Sequence, residues 1–252
     1  MGTHAHRGPN QSRRPVEVPI NAELRGRLLR RYKRFLAEIA LDEPGSDPVV
    51  VHCPDPGSMR GCARPGAQVR CSTSDNPRRK LRHTLEMIRV GRVWVGTHSV
   101  LANQLVARAL EAQAIPGLRG YAAWRREVRV DGGSRLDFRL DGHRRRNNPA
   151  FLEVKSVTLA EGSTARFPDS VTERGRHHLE TLVRLRGQGA RAVLLFVVQR
   201  SDCDSVEPAD DFDPAFGRTL RAAARAGVEV LAVGARVSAR AIELRGPLPV
   251  YL

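Results

Sequence analysis

The sequence predicts an α/β protein (α+β overall) built in two parts, on three observations. Residues 22–97 hold short runs of strand character separated by turn-rich stretches. Residues 98–114 carry apolar positions at helical spacing, and strands alternate with helices from there to the C-terminus. Five short strands joined by basic connectors suit an OB-like five-stranded β-barrel, and the alternation after it suits an α/β layered domain.

Element by element, residues 1–15 mix Pro, Gly, Arg, Asn and Ser without apolar periodicity, which predicts a disordered tail. The barrel half, 16–97, is assigned the strands KRFLAEIAL, PVVVHC, AQVRCST, HTLEMIRV and RVWVGT, with turns at DEPGSD, PDPGSMRG and SDNPRRK. HSVLANQLVARALEAQA then reads as a helix through Val100, Leu101, Leu105, Ala109 and Leu110, stopped by Pro116-Gly117. It opens the second domain, 98–252. There AWRREVRV, SRLDFRL and FLEVKSVTL read as strands, 172–186 and 214–226 as helices, and RAVLLFVVQ and VEVLAV as strands. RAVLLFVVQ is apolar on both faces, the pattern of a central strand covered by helices.

Composition narrows the function. The 252 residues contain 42 Lys plus Arg against 27 Asp plus Glu, a formal charge of +15. A chain so basic is drawn to phosphate, although a charge run is more often only a solvated face. No run of apolar residues is long enough to cross a bilayer, and the N-terminus lacks the apolar core of a signal peptide. The expectation is a cytoplasmic protein with no membrane partner. Cys53, Cys62, Cys71 and Cys203 form no CxxC pair, so they read as reduced thiols rather than zinc ligands or disulfides.

The segment 132–159 carries the chemistry. In SRLDFRL, Leu136, Phe138 and Leu140 share one strand face while Arg135, Asp137 and Arg139 share the other; in FLEVKSV, Glu153 and Lys155 lie opposite Leu152 and Val154. The connector DGHRRRNNPA is rich in turn formers, so the strands pair as a hairpin centred on residue 145, and Asp137 then faces Glu153. Two like charges directly opposite are unfavourable unless a cation lies between them. Mg²⁺ or Mn²⁺ would serve: it accepts carboxylate oxygens, keeps waters and binds phosphate. Lys155 is one of three lysines (Lys33, Lys80, Lys155) among 39 arginines, and a lysine ammonium can exchange a proton where a guanidinium cannot. Against this stands the plain reading that Asp137 and Glu153 are surface residues neutralised by Arg135 and Arg139.

Further candidates surround this centre. Arg31, Lys33, Arg34, Arg78, Arg79 and Lys80 bracket the barrel strands as candidate phosphate contacts, with Arg135 beside Asp137. Tyr32, Phe35 and Trp94 could stack bases, though each is more often a core residue. In FPDSVTERGRHHL, Asp169 or Ser170 caps a helix, and Arg174 with His177 or His178 could meet a phosphate. The acidic run 202–214 reads as a solvated linker.

Long ordered motifs also carry a resemblance: RYKRFLAEI (31–39), VHCPDPGSMRGC (51–62), SDNPRRK (74–80), SRLDF (134–138), EVKSVTLAEG (153–162), FPDSVTERGRHHL (167–179) and RAVLLFVVQ (191–199). By these the chain resembles the sugar fermentation stimulation protein A (SfsA) family. The resemblance implies an OB-like DNA-binding domain over 16–97, a PD-(D/E)XK nuclease-like α/β domain with a mixed central sheet over 98–252, and DNA binding tied to regulation of sugar metabolism. It places the nuclease motif on Asp137, Glu153 and Lys155. The chain reads HCPDPG where family members read HCPNTG, and Arg108 stands where they often carry an acid that Glu111 could replace. The leading expectation is a Mg²⁺-dependent DNA phosphodiesterase, with a homodimer allowed. The alternatives are a non-cleaving DNA-binding regulator on the same scaffold and a basic scaffold for RNA or protein.

Overall fold

The computed structural model describes residues 15–130 and 133–252, so all but the last residue of the 1–15 tail lies outside the described residues. The chain begins with β1 (Glu17–Pro19) and then builds a barrel from β2 (Leu24–Tyr32), β3 (Leu36–Leu41), β4 (Val49–His52), β5 (Gln68–Thr73) and β6 (His83–Val90), with β7 (Val93–Gly96) added on β6. The strand order is β4-β3-β2-β5-β6-β7, and a parallel bridge from His52 to Thr84 joins β4 to β6 and closes five strands. Leu28, Ile39, Val51, Val69, Leu85 and Ile88 alternate inward to fill it.

Two details differ from the sequence reading. The run at 33–41 holds one strand, β3, but starts it three residues late: residues 33–35 form the turn of a β2–β3 hairpin, with Lys33 and Arg34 at positive φ (46° and 65°). β2, LRGRLLRRY, escapes a hydropathy reading because arginines occupy most of its outward positions while Gly26 and Leu28 point in. In addition, β1 pairs with the last strand of the chain rather than with the barrel.

The second domain follows α1 (Ser99–Glu111). Its strands are β8 (Ala123–Arg129), β9 (Arg135–Asp141), β10 (Ala150–Val157), β11 (Leu159–Glu161) and β12 (Thr164–Phe167). After α2 (Glu173–Gly187) come β13 (Arg191–Val198), β14 (Ser205–Pro208), α3 (Pro214–Arg225), β15 (Glu229–Val237) and β16 (Ala241–Pro247). Seven strands form one mixed sheet, β1-β16-β15-β13-β10-β9-β8, parallel through β10, β13 and β15 and antiparallel at both sides. β13 is central and almost wholly buried, as its two-sided apolar pattern requires. α1 covers one face with Leu105, Val106 and Leu110 against Leu152, Val193 and Leu195. α2 and α3 cover the other with Leu179, Leu182, Phe216 and Leu220 against Leu194 and Phe196.

The acidic run at 202–214 is more structured than a linker: it contains β14, and Asp213 caps α3 by accepting from the Phe216 amide at 2.9 Å. Asp202, Asp210 and Asp211 pair with Arg200, Arg221 and Arg166. All four cysteines are free thiols. No helix among the described residues is long and apolar enough to cross a membrane.

Candidate active site

The β9–β10 hairpin has the register the alternation predicts: Ala150 pairs with Leu140, Phe151 with Arg139 and Leu152 with Phe138. The next step of that register sets Glu153 against Asp137, and there the bridged ladder stops. On the opposite edge of β9 the ladder to β8 also skips a step, between Arg126–Phe138 and Val128–Leu136, where Glu127 takes a positive φ of 53°. Asp137 therefore occupies a break in both ladders. In place of a strand partner, the Val154 amide donates to Asp137 Oδ2 at 2.7 Å. Leu136, expected on the same face as Phe138, packs in the cluster beneath α2 while Phe138 joins the α1 cluster, a twist that falls at Asp137.

Asn103, one turn into α1, donates to Asp137 Oδ1 at 2.7 Å. Both oxygens of that carboxylate are thereby oriented. Burial, then repulsion from Glu153, outweighs these donors and pushes the Asp137 carboxyl up from 3.8 to about 6.

Glu153 is only 3% exposed. Its Oε1 accepts from Lys155 Nζ at 2.7 Å and is hydrogen-bonded to His178 Nδ1, while Lys155 Nζ lies 3.2 Å from that same ring nitrogen. Burial alone would raise its pKa, but Lys155 and His178 prevail and hold it below the usual glutamate value. Its other oxygen, Oε2, is buried with no hydrogen-bond partner. A buried carboxylate oxygen left without a donor is costly, and a cation satisfies it. Asp137 and Glu153 thus fit a hard divalent ion. They form a set of two, since no group of three or more His, Cys, Asp or Glu side chains suited to a metal occurs among the described residues. Two carboxylates match an ion of the Mg²⁺ kind, which keeps several waters.

These residues line a cleft of about 540 Å³ between the two domains. The barrel contributes Arg34, Phe35, Asp55 and Gly57; the second domain contributes Ser99, Asp169 and Arg174 as well as the central group. The domains are joined at the cleft by Asp169, whose Oδ2 accepts from the Met59 amide and whose carbonyl accepts from Ser58 Oγ, both at 2.7 Å. Asp55 faces the same carboxylate. Burial first, with Asp169 adding to it, raises the Asp55 carboxyl from 3.8 to about 6 against the opposing Gly57 amide.

The remaining candidates divide by position. Arg174, at the start of α2 where Thr172 accepts from the Gly175 amide, is exposed and lines the cleft. His177 does not: its Nε2 lies 2.8 Å from Ser134 Oγ, and it is His178 that meets Glu153. Arg31 directs its guanidinium at the carbonyls of Asp55, Ser58 and Arg34, which orders the 55–59 loop. Arg34 lines the cleft, and its Nε donates to the Pro56 carbonyl at 2.9 Å. Lys33, Arg78, Arg79 and Lys80 lie on exposed barrel turns, with Arg79 donating to Thr84 Oγ1. Arg135 pairs with Glu127 at 2.8 Å. Arg108 and Glu111 are exposed on α1 and do not line the cleft, so neither supplies nor displaces a ligand there. The α1 residue that reaches the carboxylates is Asn103, unforeseen from sequence because a neutral amide carries no charge signal.

Known proteins share this two-part build. Residues 29–97 match the family described as "SfsA N-terminal OB domain", and residues 100–241 match "Sugar fermentation stimulation protein RE domain". The chain belongs to the SfsA family. Similar SfsA-family relatives include the sugar fermentation stimulation protein homologs of Geobacter sulfurreducens, 48% identical over 89% of this chain and 94% of the relative, and of Halorhodospira halophila, 49% identical over 89% and 94%. Among solved structures, Pyrococcus furiosus SfsA in complex with Ca²⁺ is 26% identical, with a TM-score of 0.84 over 93% of this chain and 98% of that one.

Proposed function

We propose that this SfsA-family protein is a divalent-metal-dependent phosphodiesterase that cuts DNA in the cleft between its two domains. The observation that carries the reading is the buried, unpartnered Oε2 of Glu153, one step beyond the ladder from Asp137 and beside Lys155. A relative solved in complex with Ca²⁺ supports a site for a hard divalent cation, taken here as Mg²⁺ or Mn²⁺. When bound, such an ion supplies a water nucleophile and offsets the charge that develops on the phosphodiester.

The chain's own residues do the rest. Asn103 and the Val154 amide hold the Asp137 carboxylate in one orientation, and His178 and Lys155 do the same for Glu153. Lys155 Nζ, a proton donor in the cleft, stands where it can neutralise phosphate charge. Arg34 and Arg174 supply phosphate contacts at the cleft, and Lys33, Arg78, Arg79 and Lys80 extend the basic surface over the barrel. Binding is dominated by the backbone, with little base readout. The protein works in the cytoplasm, a setting in which its free cysteines stay reduced.

The test is incubation of wild type and Asp137→Ala with labelled single-stranded, duplex and branched DNA in Mg²⁺, Mn²⁺ or EDTA. Cutting by wild type only with metal, and none by the variant, is the expected result. If wild type shifts DNA but never cuts it, the protein is instead a DNA-binding regulator on a nuclease-like scaffold.

A further inference from the structure

Resting on the nucleic-acid reading of this cleft, we infer that Phe35 is a stacking platform for an unpaired base, so that the substrate is single-stranded or locally splayed nucleic acid. Phe35 is the exposed aromatic of the cleft: its side chain lies in the same cavity as Asp137, Glu153 and Lys155, and the residue is 43% exposed. Apolar core packing, the ordinary role of a phenylalanine, therefore does not account for it. The other two aromatics of the barrel half that could stack lie elsewhere. Tyr32 is partly buried under the Arg30 guanidinium, and Trp94 packs against the second domain's core between Arg70 and Arg89.

The backbone that carries the ring is also held in place before any ligand arrives. It stands at the tip of the β2–β3 hairpin, just after two consecutive left-handed residues, Lys33 and Arg34. Its amide donates to the Lys33 carbonyl at 2.7 Å and its carbonyl accepts from the Cys53 amide at 2.9 Å. Arg31 fixes the Arg34 carbonyl, and Arg34 in turn is tied to Pro56. Side chains that lose little freedom on binding make efficient anchors, and an aromatic ring on a fixed backbone is of that kind.

Charge and size select the ligand. The Arg34 guanidinium lies 6.0 Å from the Phe35 ring centroid, and Arg174 faces the same space from α2. An aromatic face flanked by cations is the arrangement that binds single strands, with bases on the ring and phosphates on the cations. A cavity of about 540 Å³ is within the range that holds one small molecule, so it has room for a single extruded nucleotide. Seated on Phe35, a base would carry its neighbouring phosphate toward Lys155 and the two carboxylates.

The experiment measures binding without cleavage, in EDTA, by fluorescence anisotropy of a labelled oligothymidine and of a duplex of the same length. Wild type, Phe35→Ala, Phe35→Leu and Phe35→Trp are compared, with melting curves to show that each is folded. A 2-aminopurine placed in the single strand reports stacking directly through quenching. Expected are tighter binding of the single strand by wild type and a loss of about fivefold to a hundredfold in Phe35→Ala and Phe35→Leu. Duplex affinity should stay level across the set, and Phe35→Trp should retain both affinity and quenching. If the Ala and Leu variants bind and quench as wild type does, the inference is overturned while the nuclease reading stands. If wild type binds single strands and Phe35 governs that binding but no metal supports cutting, the inference stands and the nuclease reading falls. If wild type binds no nucleic acid, both fall.

Discussion

Asp137 and Glu153 confront each other one step past the last bonded pair of a hairpin, one carboxyl pushed up to about 6 and the other held low by Lys155 and His178. Two acids in one site with oppositely shifted affinities for protons divide the work: Glu153 remains an anion, and Asp137 carries most of the cost of crowding. Both strand ladders are broken at Asp137, and its carboxylate takes the Val154 amide in place of a strand partner.

Asp137→Asn should therefore stabilise the protein while abolishing metal-dependent cleavage. A carboxyl moved from 3.8 to about 6 makes the ionised form about 3 kcal/mol less favourable in the folded state at neutral pH. The amide keeps an oxygen for the Val154 N–H but turns its NH2 toward Asn103, whose own amide must flip to accept from it, so a net gain of about 1–2 kcal/mol is expected, or a rise in Tm of about 2–8 °C. Thermal melts at pH 7.5 without metal, set beside a cleavage assay, check both halves. A lower Tm would show that the ionised carboxylate stabilises the hairpin.

The same shift fixes a pH dependence. Asp137 must be ionised to take a cation, so kcat/KM should rise about tenfold per pH unit below about pH 6 and level above it. Stability should move the opposite way: because the folded state holds the proton more tightly than the unfolded chain, the contribution of Asp137 falls as pH rises from about 4 to about 6. Glu153, whose folded affinity for protons is lowered, contributes no limb in that window and its stabilisation is lost only at more acid pH. A pH–rate profile from 5 to 8 with no limb near 6 would remove Asp137 from the ionising step.

How much of this was legible in the sequence depends on the range of the interaction. The hairpin register followed from period-two alternation and a turn-rich connector, both local, and it brought Asp137, Glu153 and Lys155 together correctly. β2 was hidden because its outward face is nearly all arginine. The choice between His177 and His178 was beyond the sequence, since neighbouring helix residues differ by about 100° and only the packed phase of α2 decides which one meets Glu153. Contacts between distant segments were silent for another reason. β1 pairing with β16, and Asp169 binding the Met59 amide, need the whole chain folded before the partners meet.

Asn103 provides a test of orientation apart from charge. Asn103→Ala removes the donor to Asp137 Oδ1 and leaves Val154 as the sole hydrogen bond to that carboxylate. Loss of an outer partner of this kind typically weakens metal affinity or activity by about 10- to 100-fold. Asn103→Asp adds a third acid beside the two carboxylates, so at neutral pH it should strengthen cation binding, with a steeper dependence on pH. Metal titrations of cleavage for the two variants distinguish a lost hydrogen bond from an added charge.

The seam between the domains yields a prediction that does not rest on chemistry at the carboxylates. A Cβ built on Gly57 would lie 2.7 Å from both oxygens of Asp169, so Gly57→Ala must push that carboxylate off the Met59 amide. Asp169→Ala removes the acceptor outright and should cost about 1–2 kcal/mol, with faster hydrogen exchange at the Met59 amide. In that background the new methyl has no carboxylate to strike, so Gly57→Ala should then cost little. The double-mutant cycle is expected to return a coupling of about 1 kcal/mol or more. Additive costs would mean that Gly57 is required by the 55–59 loop itself and not by the contact across the cleft.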